Sequence, residues 1–365
     1  MREKPVFDAN CRTTAMGIMP HRDIEAAIGL SINMDIPFWP QLPNVSFYED
    51  MYAQASEHFP GIAVDPHLGL VTLDSQGFEA DLMEYALSSD EDETFDLSPD
   101  YSTTYHAFLD KPLERYAAIR GQIIGPVSFG FRVVDQDRRP IIYDEGIRAV
   151  LWEFFQKKAN CQYRQLREKN PNAFVWFDEP GLGWVFSALS GYSDLLARDD
   201  YAGFLQGIEG PRALHLCADI NLPYLLDLGF DIVSLDAYQI GEMPREYASA
   251  VAKFISGGGI ISWGIVPTDS INLSRENLES LVPRVERIWE KVETVGGITT
   301  RQIAAQSLIA PARCCLKNVG RVGSAGENSS AIGLNGSAAS VEETLVESAF
   351  EIVARLSEAL KAKFL

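Results

Sequence analysis

Along this chain short apolar runs alternate with longer stretches whose apolar residues recur every three to four positions. The runs are Thr13–Ile18, a weaker one near Ile36–Trp39, Gln122–Val127, Ala173–Phe177, Ala213–Cys217, Asp231–Leu235, Gly259–Trp263 and Ser307–Ala310. Each reads as a strand. The intervening stretches read as helices. In Arg275–Val295, for example, Leu278, Leu281, Val282, Val285, Ile288, Trp289 and Val292 share one helical face. Asp144–Lys169 and Val341–Leu365 carry the same period. Alternating strands and helices imply a mainly parallel sheet. Eight such strands predict an α/β fold of the (β/α)8 TIM-barrel type, with residues 1–365 in a single domain.

Three segments depart from that rhythm. Phe59–Leu73 reads as a β-hairpin added after the second strand. Ser88–Asp100 carries Asp90, Glu91, Asp92, Glu93 and Asp96 and reads as a solvated acidic loop. It lacks the glycine and the ligand spacing of a calcium loop. Gly320–Ser340 is rich in Gly, Ser, Ala and Asn and reads as a flexible surface loop.

Composition narrows the function classes. The 365 residues are 46% hydrophobic and 22% charged, ordinary for a globular chain with ample core. Basic residues number 31 against 51 acidic ones, a net charge of −20. Such a surface repels phosphate backbones, so nucleic acid is not an expected partner. No apolar run is long enough to span a membrane, and the first residues lack the apolar core of a signal peptide. Cys11, Cys161, Cys217, Cys314 and Cys315 are odd in number and scattered. They form no disulfide framework and fit a reduced cytoplasmic compartment.

In a barrel of this kind the chemistry sits at the C-terminal ends of the strands. The first strand ends in Met16-Gly17-Ile18-Met19-Pro20-His21, the third in Gly125-Pro126-Val127 and the fourth in Asp178-Glu179-Pro180. His215 and Cys217 end the fifth strand, Asp236 follows the sixth, and Cys314-Cys315 follow the eighth. Residues two apart on a strand share a face, so His215 and Cys217 lie side by side. One nitrogen and two sulfurs, from His215, Cys217 and Cys314 or Cys315, form the three-ligand set of a catalytic zinc with an open fourth position. Acids such as Asp178 and Glu179 at the end of an apolar strand need a cleft or a partner. Asp178 is placed to hold a substrate ammonium. His21 is a candidate acid or base.

Taken together, these segments resemble the superfamily of cobalamin-independent methionine synthase catalytic domains, uroporphyrinogen decarboxylases and corrinoid-dependent methyltransferases. Pro37-Phe38-Trp39-Pro40-Gln41-Leu42-Pro43 belongs to the same pattern, and the likeness covers nearly the whole chain. His215-Leu216-Cys217 with Cys314-Cys315-Leu316-Lys317 is particular to the zinc methyltransferase branch. The resemblance implies zinc ligands at His215, Cys217 and Cys314, with Cys315 at a glycine position of the pattern. It places a glutamate ligand near Asp236, whose side chain is shorter. It gives Asp178 the role of binding the homocysteine amine, with Met16, Gly17, Ile18 and Glu179 beside the substrate. At Ile18 the pattern carries Ser.

The expected function is a zinc-dependent transfer of a methyl group to a zinc-activated thiol such as homocysteine. Room for one barrel only favours a methylated corrinoid over a folate as donor. No Asp-x-His-x-x-Gly cobalamin run occurs, so the corrinoid, free or on a carrier protein, comes from outside the chain. Two other readings compete with it. A metal-free decarboxylase of the uroporphyrinogen type would need an arginine-rich N-terminal segment, and only Arg12 and Arg22 flank the first strand end. A non-catalytic zinc-binding barrel within a methyl-transfer complex would close all four metal positions.

Overall fold

The computed structural model describes residues 4–218, 221–316 and 336–365, with 336–340 described by backbone alone. Its strands are β1 (Arg12–Thr13), β2 (Ile62–Asp65), β3 (Leu70–Leu73), β4 (Ile119–Ile124), β5 (Ala173–Asp178), β6 (Arg212–Leu216), β7 (Ile232–Leu235), β8 (Ile260–Val266) and β9 (Ser307–Pro311). Seven of them form a curled parallel sheet in the order β1-β9-β8-β7-β6-β5-β4. The other two, β2 and β3, form the expected antiparallel hairpin.

Every position of β4, β5, β7, β8 and β9 is buried, as a parallel sheet covered on both faces requires. Alternation sorts their side chains into two layers. Phe174, Trp176, Ala213, Ile232, Ile260 and Leu308 pack together with Met16 and Ile36 inside the curl. Val175, Phe177, Leu214, Val233 and Ile261 join the larger core beneath the helices.

The expected second strand is where the barrel pattern loosens. Residues 36–41 lie between the two edges of the sheet and bond to both. The Ile36 amide donates to the Thr13 carbonyl at 3.0 Å, and Trp39 and Arg120 exchange bonds with each other's neighbourhood through Trp39 N to Arg120 O (3.3 Å) and Arg120 N to Pro37 O (3.0 Å). Only isolated bridges result, Phe38 with Arg120 and Ile18 with Gln41. Pro37 and Pro40 have no amide hydrogen to offer a ladder, which is why the segment does not become a regular strand. A ring of eight regular strands is therefore not seen among the described residues.

Element ends also shift. The first strand pairs only over Arg12–Thr13 rather than through Ile18. The third predicted strand begins earlier and ends at Ile124, because Gly125-Pro126 opens helix α1 (Pro126–Arg132). Proline suits that first turn, where its missing hydrogen has no helical acceptor. Helix α2 (Glu145–Lys169) starts where Asp144 accepts from the Gly146 and Ile147 amides at 2.9 and 3.0 Å. Helix α3 (Leu278–Gly296) starts at a reciprocal cap between Asn277 and Ser280 and stops at Gly297, whose φ is 70°.

The acidic segment is less solvated than its charge implies. Phe95 and Leu97 are buried, Asp92 pairs with Arg164, and Gln165 Nε2 donates to Asp96 Oδ1 at 2.6 Å. Of the expected flexible loop, residues 320–335 lie outside the described residues, and 336–340 open the last helix, α4 (Gly336–Phe364). No helix among the described residues is long and apolar enough to cross a membrane.

Candidate active site

The parallel register puts Asp178 beside His215, and His215 beside Ser234, at the C-terminal ends of β5, β6 and β7. His215 is buried, and its ring lies 5.6 Å from that of Trp176. Its Nδ1 is 3.0 Å from Ser234 Oγ, while its Nε2 is buried with no partner. With Nδ1 donating to Ser234, the Nε2 lone pair is left open. Burial, with the Arg120 charge added, pushes the imidazole down to about 3, so the ring is neutral at neutral pH.

Cys217 follows directly on β6. Burial pushes its thiol well above the usual range, and interaction with Cys314 and Asp178 adds to the effect. Both Cys217 and Cys314 are partly exposed, and Cys314 packs against the inner cluster that contains Met16 and Trp176. Cys315 is buried and its amide donates to the Ile18 carbonyl at 3.2 Å, so the cysteine turn is tied to the end of the first strand. Of the two adjacent cysteines, Cys314 is the more exposed.

Asp236 is already engaged. Arg313 Nε donates to Asp236 Oδ2 at 2.7 Å, the Gln239 amide donates to Oδ1 at 3.2 Å, and the Gln239 side chain donates to Oδ2 as well. The Asp236 side chain is 4% exposed and that of Arg313 42%. Arg313 also interacts with both Cys217 and Cys314. The Arg313 guanidinium thus holds the carboxylate near which the resemblance puts a fourth metal ligand, and its charge acts on both thiols.

The two adjacent acids part company. Asp178 faces inward, buried, with Oδ1 unpartnered. Burial, then the Glu179 charge, push its carboxyl up to about 7, partly offset by Arg120. Glu179 turns to the other side of the sheet. It accepts from the Val127 amide (3.1 Å), the Ser128 amide (2.7 Å), the Ser128 hydroxyl (2.5 Å) and the Tyr201 hydroxyl. It holds the start of α1 rather than facing the thiols. His21 is buried with both ring nitrogens unpartnered, and the charges around it are Glu343 and Glu347 of α4 and Asp23. The structure does not bring it into the thiol group.

Gly17 donates its amide to Gln122 Oε1 at 3.0 Å, and a side chain there would collide with Gln122 Nε2 at 1.6 Å. Met16 is buried in the inner cluster and Ile18 is partly buried. Sequence reading passed over Arg120, Gln122, Ser234 and Arg313. Arg120 and Gln122 are polar residues two apart in an apolar strand, a signal that both face the interior.

No group of three or more His, Cys, Asp or Glu side chains converges as a metal cluster among the described residues. The donor types are those zinc takes, an unpartnered imidazole nitrogen on the strand that leads into Cys217.

Beside Asp236 opens a cleft of about 220 Å³ lined by Ala218, Leu222, Gln239, Ile240, Glu242 and Tyr247, among others. Among the described residues its lining holds no Lys or Arg.

No family model matches the chain, and no curated protein matches it. Solved structures to which it is similar include the following. One is a B12-independent methionine synthase from a Shewanella species in complex with selenomethionine, at 14% identity and a TM-score of 0.41, covering 68% of this chain and 63% of that one. Another is a methyltransferase from Methanosarcina mazei, at 14% identity and a TM-score of 0.47, covering 96% and 94%. The third is a vitamin-B12 independent methionine synthase-like protein from Listeria monocytogenes, at 13% identity and a TM-score of 0.47, covering 99% of both chains.

Proposed function

We propose that this protein is a zinc-dependent methyltransferase that methylates a thiol, with His215, Cys217 and Cys314 holding the metal. One observation carries the reading: a buried imidazole nitrogen with no partner stands on the strand that leads directly into Cys217. Three protein ligands leave a fourth coordination position for an acceptor thiol. When bound there, the metal keeps a coordinated thiol ionised at neutral pH, the form in which sulfur is nucleophilic.

The chain's own residues supply the rest. Ser234 fixes the His215 ring so that Nε2 keeps its lone pair. Arg313, held by Asp236, sets a positive charge beside the thiols and offsets the surplus negative charge of two cysteinates and a bound thiolate. Asp178, buried at the end of β5, receives the cationic group of the acceptor, the ammonium of homocysteine being one example. Met16, Gly17 and Ile18 form the wall beside it. A methylated corrinoid brought from outside the chain is the proposed donor, and methyl-folate is the other candidate.

Metal analysis of the purified protein, with thiol-dependent demethylation of methylcobalamin, tests the proposal. Expected results are one zinc per chain, and loss of zinc and activity in Cys217→Ser and Cys314→Ser with the fold retained. Wild-type protein without stoichiometric zinc, or full activity in both variants, would refute it.

A further inference from the structure

Beneath the strand ends runs an unbroken line of buried side chains. Arg120 Nη1 donates to Gln122 Oε1 at 2.8 Å, and Gln122 Nε2 donates to Gln41 Oε1 at 2.8 Å. Gln41 Nε2 donates to Gln54 Oε1 at 2.7 Å, and Gln54 Nε2 donates to Glu49 Oε2 at 3.0 Å. All five residues are buried, Arg120 completely. Glu49 also accepts from Ser102 Oγ, the Thr104 amide and Thr104 Oγ1 at 2.7–2.9 Å.

The two ends dictate the direction. A guanidinium only donates and an ionised carboxylate only accepts, so each amide between them has one permitted orientation. Gln122 is fixed most tightly. Its oxygen takes hydrogens from Arg120 and from the Gly17 amide, and its nitrogen gives hydrogens to Gln41 and to the Trp39 carbonyl. Turning that amide over would set donor against donor at two contacts.

The line reaches the proposed site in two places. Gly17 is gripped on both sides, by Gln122 through its amide and by the Gln41 amide through its carbonyl at 2.7 Å. The next residue, Ile18, bonds the Cys315 amide, so the loop spans from the glutamines to the cysteine turn. At the other end, the Arg120 guanidinium lies 4.4 Å over the Trp176 ring, which neighbours His215.

We propose that Gln122 is a positioning residue, the fixed centre of a one-way hydrogen-bond chain from Arg120 to Glu49 that sets Gly17 and, through it, the Cys314–Cys315 turn. The proposal rests on the reading of these strand ends as the reaction site. Such a chain costs more to bury than an apolar contact unless every member is satisfied. Here the three glutamines are bonded through both oxygen and nitrogen and Glu49 through both oxygens, while Arg120 Nη2 alone in this line of side chains has no partner, and the line meets the loop that joins β1 to the thiols.

The test uses the full chain with Gln122→Glu, Gln122→Met, Glu49→Gln and the double variant Gln122→Glu/Glu49→Gln. Gln122→Glu keeps both acceptances and loses both donations; Glu49→Gln removes only the distant anion. Urea unfolding gives the stability of each. The site is read by the rate at which iodoacetamide alkylates Cys314 in metal-free protein, and by zinc affinity from chelator competition. Gln122→Met is expected to change the Cys314 rate at least fivefold and zinc affinity at least tenfold. Glu49→Gln is expected to move both in the same direction by a smaller factor, and the double variant to be no worse than its worse parent. Folded variants with a Cys314 rate within twofold of wild type, or strictly additive effects in the double variant, overturn the proposal. Wild-type protein that binds no zinc overturns the metal reading alone, because the alkylation rates still decide the chain.

Discussion

Arg313 Nε and Asp236 Oδ2 are 2.7 Å apart, so the carboxylate that the resemblance places near a metal is held by a guanidinium. With Gln239 donating to both oxygens, the carboxylate is committed to protein donors. Asp236→Asn is therefore expected to keep zinc at one per chain, with affinity within about tenfold of wild type, the lower range of an outer-sphere change. Cys217→Ser and Cys314→Ser lose it. Metal content after dialysis against a weak chelator separates the cases, and a metal-free Asp236→Asn protein would restore Asp236 as a ligand.

Ser234 is expected to matter through His215 alone. Ser234→Ala leaves Nδ1 without its acceptor, freeing the ring to rotate and change tautomer. Loss of such a partner weakens zinc binding about 10- to 100-fold. Chelator competition measures it, and unchanged affinity would remove Ser234 from the account.

Asp178 makes stability depend on pH. Its folded carboxyl titrates near 7 because of burial, and the unfolded one near 4. Below about pH 4 both states are protonated and the group costs nothing. Between about 4 and 7 the folded protein holds a proton that the unfolded chain has released, so stability falls as pH rises; above 7 the loss is complete. In metal-free protein Asp178→Asn is thus expected to match wild type at pH 4 and exceed it at pH 8 by roughly 1–3 kcal/mol. Urea midpoints across that range decide it. Equal stability at pH 8 would mean that the carboxylate has found a compensating partner. Activity is expected to fall in the same variant, a stability gain set against function.

Glu179 is expected to behave as a structural anchor. Tyr201→Phe removes one of its donors and leaves a buried carboxylate short of a partner, at a cost of about 1–3 kcal/mol. Thiol affinity should stay within twofold. A large change in thiol affinity with little change in the melting temperature would return Glu179 to the substrate.

What was readable in the sequence was periodicity and strand ends. The apolar face of α3 and the run of β5 appear where their patterns put them, because both are decided by local spacing. Alternation along the strands puts His215 and Asp178 at neighbouring strand ends, and the register sets them side by side. Asp178 and Glu179 read alike as neighbouring acids, although alternation allows only one to face inward. Arg313 and Asp236 were out of reach for another reason: 77 positions separate them, and only the fold makes them a pair. The same holds for Glu49 and Arg120, joined through three glutamines that lie far apart in the sequence.

The segment at 36–41 gives the sheet a seam. Between β4 and β5 or β5 and β6, neighbouring strands are paired in continuous ladders, and breaking one means breaking several bonds together. At the seam Pro37 and Pro40 leave gaps, so main-chain bonds there stand singly and side chains stitch the rest: Ser31 Oγ to the Phe38 amide, Gln122 to the Trp39 carbonyl. Amide protons of Phe38, Trp39 and Gln41 should therefore exchange with solvent well before those of β5 and β8. The ring opens where its closure depends on side chains, directly below the loop that carries Gly17.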